Sequence, residues 1–99
     1  MAIRLIVHLQ ALPGKQEEMI SAYRKRVKEV RTESGCTEFR AFQDIEDPDH
    51  IVLIEGWESQ ESLTVHGSAP KDPNAVDPQS LRTAIGHERY EYEIDSGSA

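Results

Sequence analysis

The feature that most constrains the fold is the repeated change of hydrophobic period along the first half of the chain. Apolar and polar residues alternate over residues 2–11, apolar residues recur at three- and four-residue steps from Lys15 to about Glu33, and alternation returns from Cys36 to Gln43. Alternation is typical of a strand with one buried face, and the longer steps are typical of an amphipathic helix. The sequence therefore predicts strand, helix and strand in that order, with Ser34-Gly35 ending the helix.

The next stretch adds a strand and a short helix. Ile51 to Ile54 are four consecutive apolar residues, mostly β-branched, and they predict a strand that continues through Trp57. The polar turn at residues 46–49 joins this strand to the preceding one as a hairpin. Ser59 then suits the N-cap of a helix that ends near His66.

The last third of the chain is punctuated by prolines. After the loop at residues 67–74, Asp77-Pro78 predicts the start of a short helix that ends before Gly86, and His87 to Asp95 predicts a last strand exposed at a sheet edge. The order is β-α-β-β-α-β, so the expected class is α+β with a ferredoxin-like antiparallel sheet. We expect one domain over residues 1–95 and a disordered tail at 96–99.

One face of the predicted sheet has no partner within the chain. Two helices can cover only one face of a four-stranded sheet, yet the other face mixes polar and apolar side chains, such as Arg4, Ile6, His8, Arg40 and Phe42. A second copy of the same sheet would bury this mixed face. We therefore expect a homodimer with two-fold symmetry.

Composition excludes several classes of function. The 99 residues carry a net charge of −7, which argues against a nucleic-acid partner. The apolar run Ile3–Leu9 is too short and too polar to span a membrane, and no secretion signal is recognisable, so we expect a cytoplasmic protein without membrane association. The glycines are isolated and the four histidines lie on different elements. We therefore expect neither a cofactor nor a metal site.

A short motif carries a resemblance to a known family. Glu55-x-Trp57 is followed by a short helix ending in His66, and Pro13-Gly14 and Gly35-Cys36 lie upstream. This pattern resembles the antibiotic biosynthesis monooxygenase (ABM) family. The resemblance implies a dimeric α/β barrel, with a pocket between the sheet and the second helix. It also implies oxidation of electron-rich aromatics, such as anthrones and quinols, without metal or flavin.

The expected pocket combines residues from three strands and the second helix. Apolar walls with a few convergent polar groups are typical of small-molecule sites. The candidates for substrate binding are Arg40, Phe42, Leu53 and Glu55, and the candidates for catalysis are His8, Trp57 and His66.

Each polar or aromatic candidate also has a purely structural interpretation. Trp57 could belong to the core or the dimer interface, and His8 could face solvent or a partner. His66 could serve only to cap its helix. Arg40 and Glu55 could pair with each other or across the dimer.

The resemblance implies a mechanism for these residues. His66 or His8 would act as general base on a phenolic or activated C–H proton, since the pKa of histidine ordinarily lies close to neutral pH. The substrate anion would pass one electron to O₂, and the radical pair would recombine. Trp57 would stack on the substrate, a small aromatic or quinol-like ligand, and Arg40 would stabilise its negative charge.

Two hypotheses of function remain open from the sequence. The first is a cofactor-independent monooxygenase acting on a quinol or polyketide-like aromatic. The second is a non-oxygenase dimeric barrel, either a small-molecule binding protein or an isomerase of a sugar-like metabolite, because one fold hosts many functions. The only asparagine, Asn74, lies in the proline-rich loop. Haem degradation, which in related proteins relies on a pocket asparagine, is therefore not expected.

Overall fold

The structure is a computed structural model that describes residues 1–94. The elements are strand β1 (Ala2–Ala11), helix α1 (Gln16–Val30), strands β2 (Cys36–Gln43) and β3 (His50–Trp57), helix α2 (Gln60–Ser68), a 3-10 turn (Pro78–Leu81) and strand β4 (Arg82–Tyr92). This order confirms the predicted ferredoxin-like β-α-β-β-α-β arrangement. The predicted domain boundary at residue 95 and the predicted tail at 96–99 lie outside the described residues.

The four strands form one antiparallel sheet in the order β2-β3-β1-β4. The hairpin of β2 and β3 forms as predicted, and β4 lies at the sheet edge. The pairing of β1 with β4 shifts register between His8 and Leu9, where a bulge interrupts the ladder. Both central strands are long, so they carry side chains from one end of the sheet to the other.

The core lies between the sheet and α1. Burial alternates along β1 as the sequence predicts, and α1 buries one stripe of residues, Met19, Tyr23, Val27 and Val30. Each fully buried aliphatic or aromatic side chain contributes about 1.5–3 kcal/mol to folding. The helix ends at Val30, three residues before the predicted end, because Thr32 takes the Glu29 carbonyl with both its hydroxyl (2.7 Å) and its backbone N–H (3.2 Å).

Helix α2 is attached to the sheet by few apolar contacts. Ser59 caps it as predicted, its hydroxyl accepting from the Ser62 N–H at 3.2 Å, but none of the helix residues is fully buried. Its first turn rests on Gly35, which has a φ of +83° and whose carbonyl accepts from the Glu58 N–H at 2.8 Å. A side chain at Gly35 would overlap Ser62. The loop after α1 and the start of α2 are thus held in close contact.

The region from Asp77 to the last described residue, Ile94, differs from the prediction. Asp77 does cap a helical turn, but this is a single 3-10 turn that ends at Leu81, and β4 begins at Arg82 instead of His87. The reason is that β1 extends to Ala11 and its last residue pairs with Arg82, so β4 must begin there. Leu81, just before it, is buried, and its carbonyl accepts from the Leu12 N–H at 2.9 Å. The strand ends at Tyr92 within the described residues.

Both helices pack on the same face of the sheet. We call the opposite face the open face; it presents the mixed side chains expected from the sequence, and Phe42 and Tyr90 on it are about half exposed (47% and 49%). No helix within residues 1–94 is both long enough and apolar enough to cross a membrane.

Candidate active site

A small cavity lies between the helix-covered face of the sheet and the segment that follows α2. Its volume is about 150 Å³. The apolar part of its lining includes Phe39 and Leu53 from the sheet and Pro78 from the 3-10 turn. The polar part includes Tyr23 and Arg26 from α1, Glu55 from β3, His66 from α2 and Arg82 from β4. The cavity therefore has the composition expected of a small-molecule site, on a small scale.

Glu55 is the buried carboxyl group of this cavity. Its side chain points from β3 towards the helices, and the residue is only 9% exposed. Burial raises the pKa of this carboxyl, although the hydrogen bond from Trp57 and the nearby His66 partly oppose the rise. The indole Nε1 of Trp57 donates to Glu55 Oε1 at 3.2 Å. Glu55 thus retains its proton to a higher pH than an exposed glutamate.

His66 is held from two sides. Its imidazole stacks on the Trp57 ring, with centroids 4.6 Å apart and planes inclined by 29°. Its Nδ1 lies 2.9 Å and 3.1 Å from the two carboxylate oxygens of Glu33, in the loop after α1. The alternative that His66 only caps its helix is therefore incomplete, since the ring packs on Trp57, binds Glu33 and lines the cavity.

Tyr23 and Arg82 form a second polar wall. Burial raises the pKa of the Tyr23 hydroxyl, and the nearby Arg82 guanidinium partly opposes this. The Nε of Arg82 is buried and finds no hydrogen-bond partner within residues 1–94. Leaving such a donor unpaired costs about 1–3 kcal/mol. The guanidinium also lines the cavity, so its positive charge suits an anionic or carbonyl oxygen of a ligand.

Sequence reasoning missed Glu33, Tyr23 and Arg82. Tyr23 belongs to the buried stripe of α1, and its hydroxyl is the one signal in the sequence that a polar partner lies nearby. Arg82 fell in a predicted helix, whereas the strand that begins there brings it to the cavity. Glu33 carries no local signal, because its partner His66 is 33 residues away.

The seven predicted site residues do not line one pocket. Cross-strand partners point to the same side of a sheet. His8 and Phe42 both pair with Val52, and Arg40 pairs with Ile54 on that same open face. Leu53, Glu55 and Trp57 alternate with these residues and point to the helices, where His66 also lies. The expectation of one shared pocket is therefore wrong, because the sheet separates the two groups.

Two further expectations about this pocket change with the structure. Trp57 is fully buried (0% exposed) and is not among the residues lining the cavity. Its indole N–H donates to Glu55 and its ring packs on His66, so it holds these two residues in place without contacting the cavity. Arg40 and Glu55 do not pair within the chain. Arg40 lies on the open face, with its Nε 3.5 Å from Glu38.

A hydrogen-bonded network crosses the open face. The imidazoles of His8 and His50 are stacked, with His8 Nδ1 3.4 Å from His50 Nε2. His50 Nδ1 contacts Asp44 at 3.1 Å, His8 Nε2 contacts Glu88 at 3.1 Å, and the Tyr90 hydroxyl donates to Glu88 at 2.6 Å. His8 is thus committed to a surface network remote from the cavity.

A larger groove runs between α1 and the edge strand β2. It measures about 850 Å³, and its rim carries four cationic side chains, Arg24, Lys28, Arg31 and Arg40. We favour the smaller cavity as the active site because buried titratable groups converge there, as expected of catalytic centres. In the part of the chain that the structure describes, no three His, Cys, Asp or Glu side chains are arranged to hold a metal ion.

Comparison with known proteins identifies the family. The family model described as "Antibiotic biosynthesis monooxygenase" matches residues 2–71, which include Glu33, Glu55, Trp57 and His66. A curated Bacillus subtilis (strain 168) protein named "Putative monooxygenase YcnE" is 25% identical over 64 residues, covering 65% of this chain and 67% of that protein.

Solved structures share the whole fold. A "putative Antibiotic biosynthesis monooxygenase" from Chloroflexus aurantiacus J-10-fl is 26% identical over 100% of both chains, with a TM-score of 0.79. SnoaB, a cofactor-independent oxygenase from Streptomyces nogalater, is alike in fold, with a TM-score of 0.78 at 14% identity and 96% of each chain covered. The resemblance found in the sequence is confirmed, and the chain belongs to the antibiotic biosynthesis monooxygenase family.

Proposed function

We propose that this protein is a cofactor-independent monooxygenase that oxidises a quinol or a polyketide-like aromatic with O₂. The observation that carries the proposal is the convergence of a histidine, His66, and a guanidinium, that of Arg82, on one cavity. Membership of the family and the likeness in fold to SnoaB, which is itself a cofactor-independent oxygenase, support the same reaction class.

The reaction needs no external reductant. One substrate and one O₂ give one oxygenated product and one water, because the substrate loses two hydrogen atoms and gains one oxygen atom. His66 removes the phenolic or activated C–H proton, which makes the substrate a better electron donor to O₂. Arg82 takes the role that the sequence had suggested for Arg40: it stabilises the negative charge on the substrate oxygen. Glu55, in its protonated form, can donate a further hydrogen bond.

The size of the cavity favours a substrate with one aromatic ring. A cavity of about 150 Å³ accommodates a benzene-sized molecule, and the cavity here has that volume. A three-ring anthrone would require the segment from Gly67 to Gln79, which forms one wall, to move outward. Among the aromatics suggested by the family, we therefore rank one-ring quinols before polycyclic compounds.

Oxygen uptake by the metal-stripped protein tests this proposal. The substrates are a one-ring hydroquinone, a dihydroxynaphthalene and an anthrone, each compared with its spontaneous oxidation. We expect uptake above the spontaneous rate, fastest with the hydroquinone, and lost in His66→Gln. His87→Gln makes the same change at an exposed histidine and serves as the control. No enzymatic uptake from any compound, or full activity in His66→Gln, would contradict the proposal.

An isomerase is the second candidate, and one observation favours it. Glu55 and His66 are two titratable groups in different environments on the same cavity, a pattern typical of acid–base pairs that move a proton between two positions. A sugar-like metabolite is small enough for the cavity. Deuterium exchange from solvent into such a ligand, without consumption of O₂, would favour this function over oxygenation.

We also propose that the open face is the interface of a homodimer. Ile6, Val52, Ile54 and Phe42 make its centre apolar, and no element of residues 1–94 covers it. Its cations are largely matched, since Arg4 and Arg40 both approach Glu38, at 3.1 Å and 3.5 Å. The homodimer and the cytoplasmic location both remain predictions.

Light scattering tests the dimer directly. We expect twice the chain mass of 11.2 kDa for the wild type. Ile54→Lys places a charge in the centre of the open face and should give monomers, whereas Ile45→Lys, at a fully exposed turn position, should remain dimeric. A monomeric wild type at micromolar concentration would refute the interface.

A further inference from the structure

Glu33 is the hydrogen-bonding partner of the proposed base, His66. It lies outside both helices, in the loop between α1 and β2. Its two carboxylate oxygens lie 2.9 Å and 3.1 Å from the Nδ1 of His66. Both side chains are mostly buried, with 22% of Glu33 and 17% of His66 exposed. Every other ion pair within residues 1–94 has at least one side chain that is more than a third exposed, so this contact is better shielded from competition by solvent.

The backbone holds Glu33 in place independently of His66. Its N–H donates to the Val30 carbonyl at 3.0 Å, and its own carbonyl accepts from the Cys36 N–H at 3.2 Å. Gly35, two residues later, packs against the start of α2. Backbone hydrogen bonds of the loop therefore fix the position from which the Glu33 side chain reaches α2.

The chemistry of this pair determines which nitrogen of His66 can act as a base. An ionised carboxylate only accepts hydrogen bonds, so the proton of the neutral imidazole lies on Nδ1. The lone pair then lies on Nε2. Trp57 covers one face of the ring and Glu33 occupies the Nδ1 edge, so Nε2 is the basic atom left for the cavity that His66 lines.

We infer that Glu33 is a positioning residue: it fixes the Nδ1–H tautomer of His66 and orients Nε2 as the general base. This inference rests on the proposed function for its catalytic consequence, but not for the tautomer itself. In the reaction, the substrate O–H bond breaks and an Nε2–H bond forms. The Glu33 carboxylate stabilises the resulting imidazolium until that proton passes to the oxygen atom that leaves as water. The second hydrogen of the water comes from the C–H bond that breaks at the carbon being oxygenated.

A purely structural role for Glu33 makes different predictions. If the pair served only to attach α2 to the loop, a variant that retained a hydrogen bond would retain activity. Glu33→Gln keeps the size and hydrogen-bonding capacity, but its amide can donate to Nδ1 and so favour the opposite tautomer. In the serine protease triad, the equivalent change of the orienting acid lowers kcat by about 10⁴-fold with the geometry intact.

The first readout is the tautomer, and it needs no substrate. Two-bond ¹H–¹⁵N spectra of the imidazole nitrogens, recorded where His66 is neutral, distinguish Nδ1–H from Nε2–H. We expect Nδ1–H in the wild type and a shift towards Nε2–H in Glu33→Gln. Glu18→Gln is the matched control, since the exposed Glu18 carboxylate lies 3.5 Å from Lys15 at the start of α1, away from the cavity. A wild-type Nε2–H tautomer, or no change in Glu33→Gln, would overturn the inference.

The second readout is turnover. We expect Glu33→Gln to lower kcat at least about 100-fold with KM within about twofold, because the base is misoriented while the cavity is intact. Glu33→Asp retains the charge and should recover part of the rate, and Glu18→Gln should match the wild type. A kcat unchanged in Glu33→Gln would overturn the catalytic role. If the tautomer shifts as expected but no tested aromatic is oxidised by the wild type, the tautomer assignment is supported and the proposed oxygenase fails.

Discussion

Gly35→Ala should strongly disturb the packing of the loop that carries Glu33 against the helix that carries His66. The φ of Gly35 is +83°, a conformation that L-residues with a side chain seldom adopt, and a Cβ there would overlap the side chain of Ser62 in the first turn of α2. We expect Gly35→Ala to force the loop that carries Glu33 away from the helix that carries His66.

The magnitude has two parts. The left-handed conformation costs about 1–2 kcal/mol for a residue with a Cβ. Moving Ser62 strains its contact with Ser59, whose hydroxyl accepts from the Ser62 N–H at 3.2 Å, and losing such an N-cap costs about 1 kcal/mol. The total is about 2–3 kcal/mol. For a domain of this size that corresponds to a fall in Tm of roughly 10–20 °C.

Gly14 offers a matched control. Its φ is +75°, but a Cβ there meets nothing within 4 Å, so Gly14→Ala carries only the conformational cost of about 1–2 kcal/mol. Thermal unfolding followed by circular dichroism should therefore show a clearly larger loss for Gly35→Ala than for Gly14→Ala. Equal losses would refute the argument that close contact with α2 restricts this position, and no loss in either would refute the conformational argument.

Three further predictions concern the cavity and the network. Burial raises the pKa of Glu55, so the folded state binds the carboxyl proton more tightly than the unfolded state, and this contribution to stability declines as the pH rises above the pKa of Glu55 in the unfolded state. Glu55→Gln should therefore raise Tm near pH 7 and leave it unchanged near pH 4. The reverse pattern in thermal scans would contradict the assignment. Arg82→Lys replaces the planar guanidinium by a single ammonium group and should raise KM about tenfold in steady-state assays, since one hydrogen bond to a charged group contributes about 1.5–3 kcal/mol. His8→Gln should leave kcat within about twofold of the wild type, because the sheet separates His8 from the cavity; a loss comparable to that of His66→Gln would restore His8 as a candidate base.

The sequence predicted the elements well because burial imposes their periods directly. Alternation in β1 and the stripe of α1 each follow from the geometry of a single element, and the structure shows both. The Ser59 and Asp77 caps were also recognisable, since capping depends on neighbouring residues only.

The composition of the site was harder to predict, because it depends on relations between elements. Alternation shows which residues of one strand share a face, but only the register shows which faces of two strands coincide. His8 and Leu53 were therefore placed together, whereas His8 pairs with Val52 and Leu53 points the other way. Glu33 and His66 meet through a loop and a helix that no local pattern connects.

The start of β4 illustrates a second limit. Asp77-Pro78 is a sound signal for a helical turn, but the length of that helix was set by β1, which extends far enough to pair with Thr83 and Arg82. Tertiary pairing thus overrode a local signal. The consequence for function is direct, because Arg82 reaches the cavity from the strand.

Incorporation of oxygen from ¹⁸O₂ is the measurement that tests the central claim most directly. The metal-stripped protein would be given a one-ring hydroquinone under ¹⁸O₂, and the product analysed by mass spectrometry. If His66 and Arg82 form a cofactor-independent monooxygenase site, each product molecule gains one ¹⁸O atom, the other appears in water, and both signals disappear in His66→Gln. Product that lacks ¹⁸O, or labelled product formed equally by His66→Gln, would contradict the account.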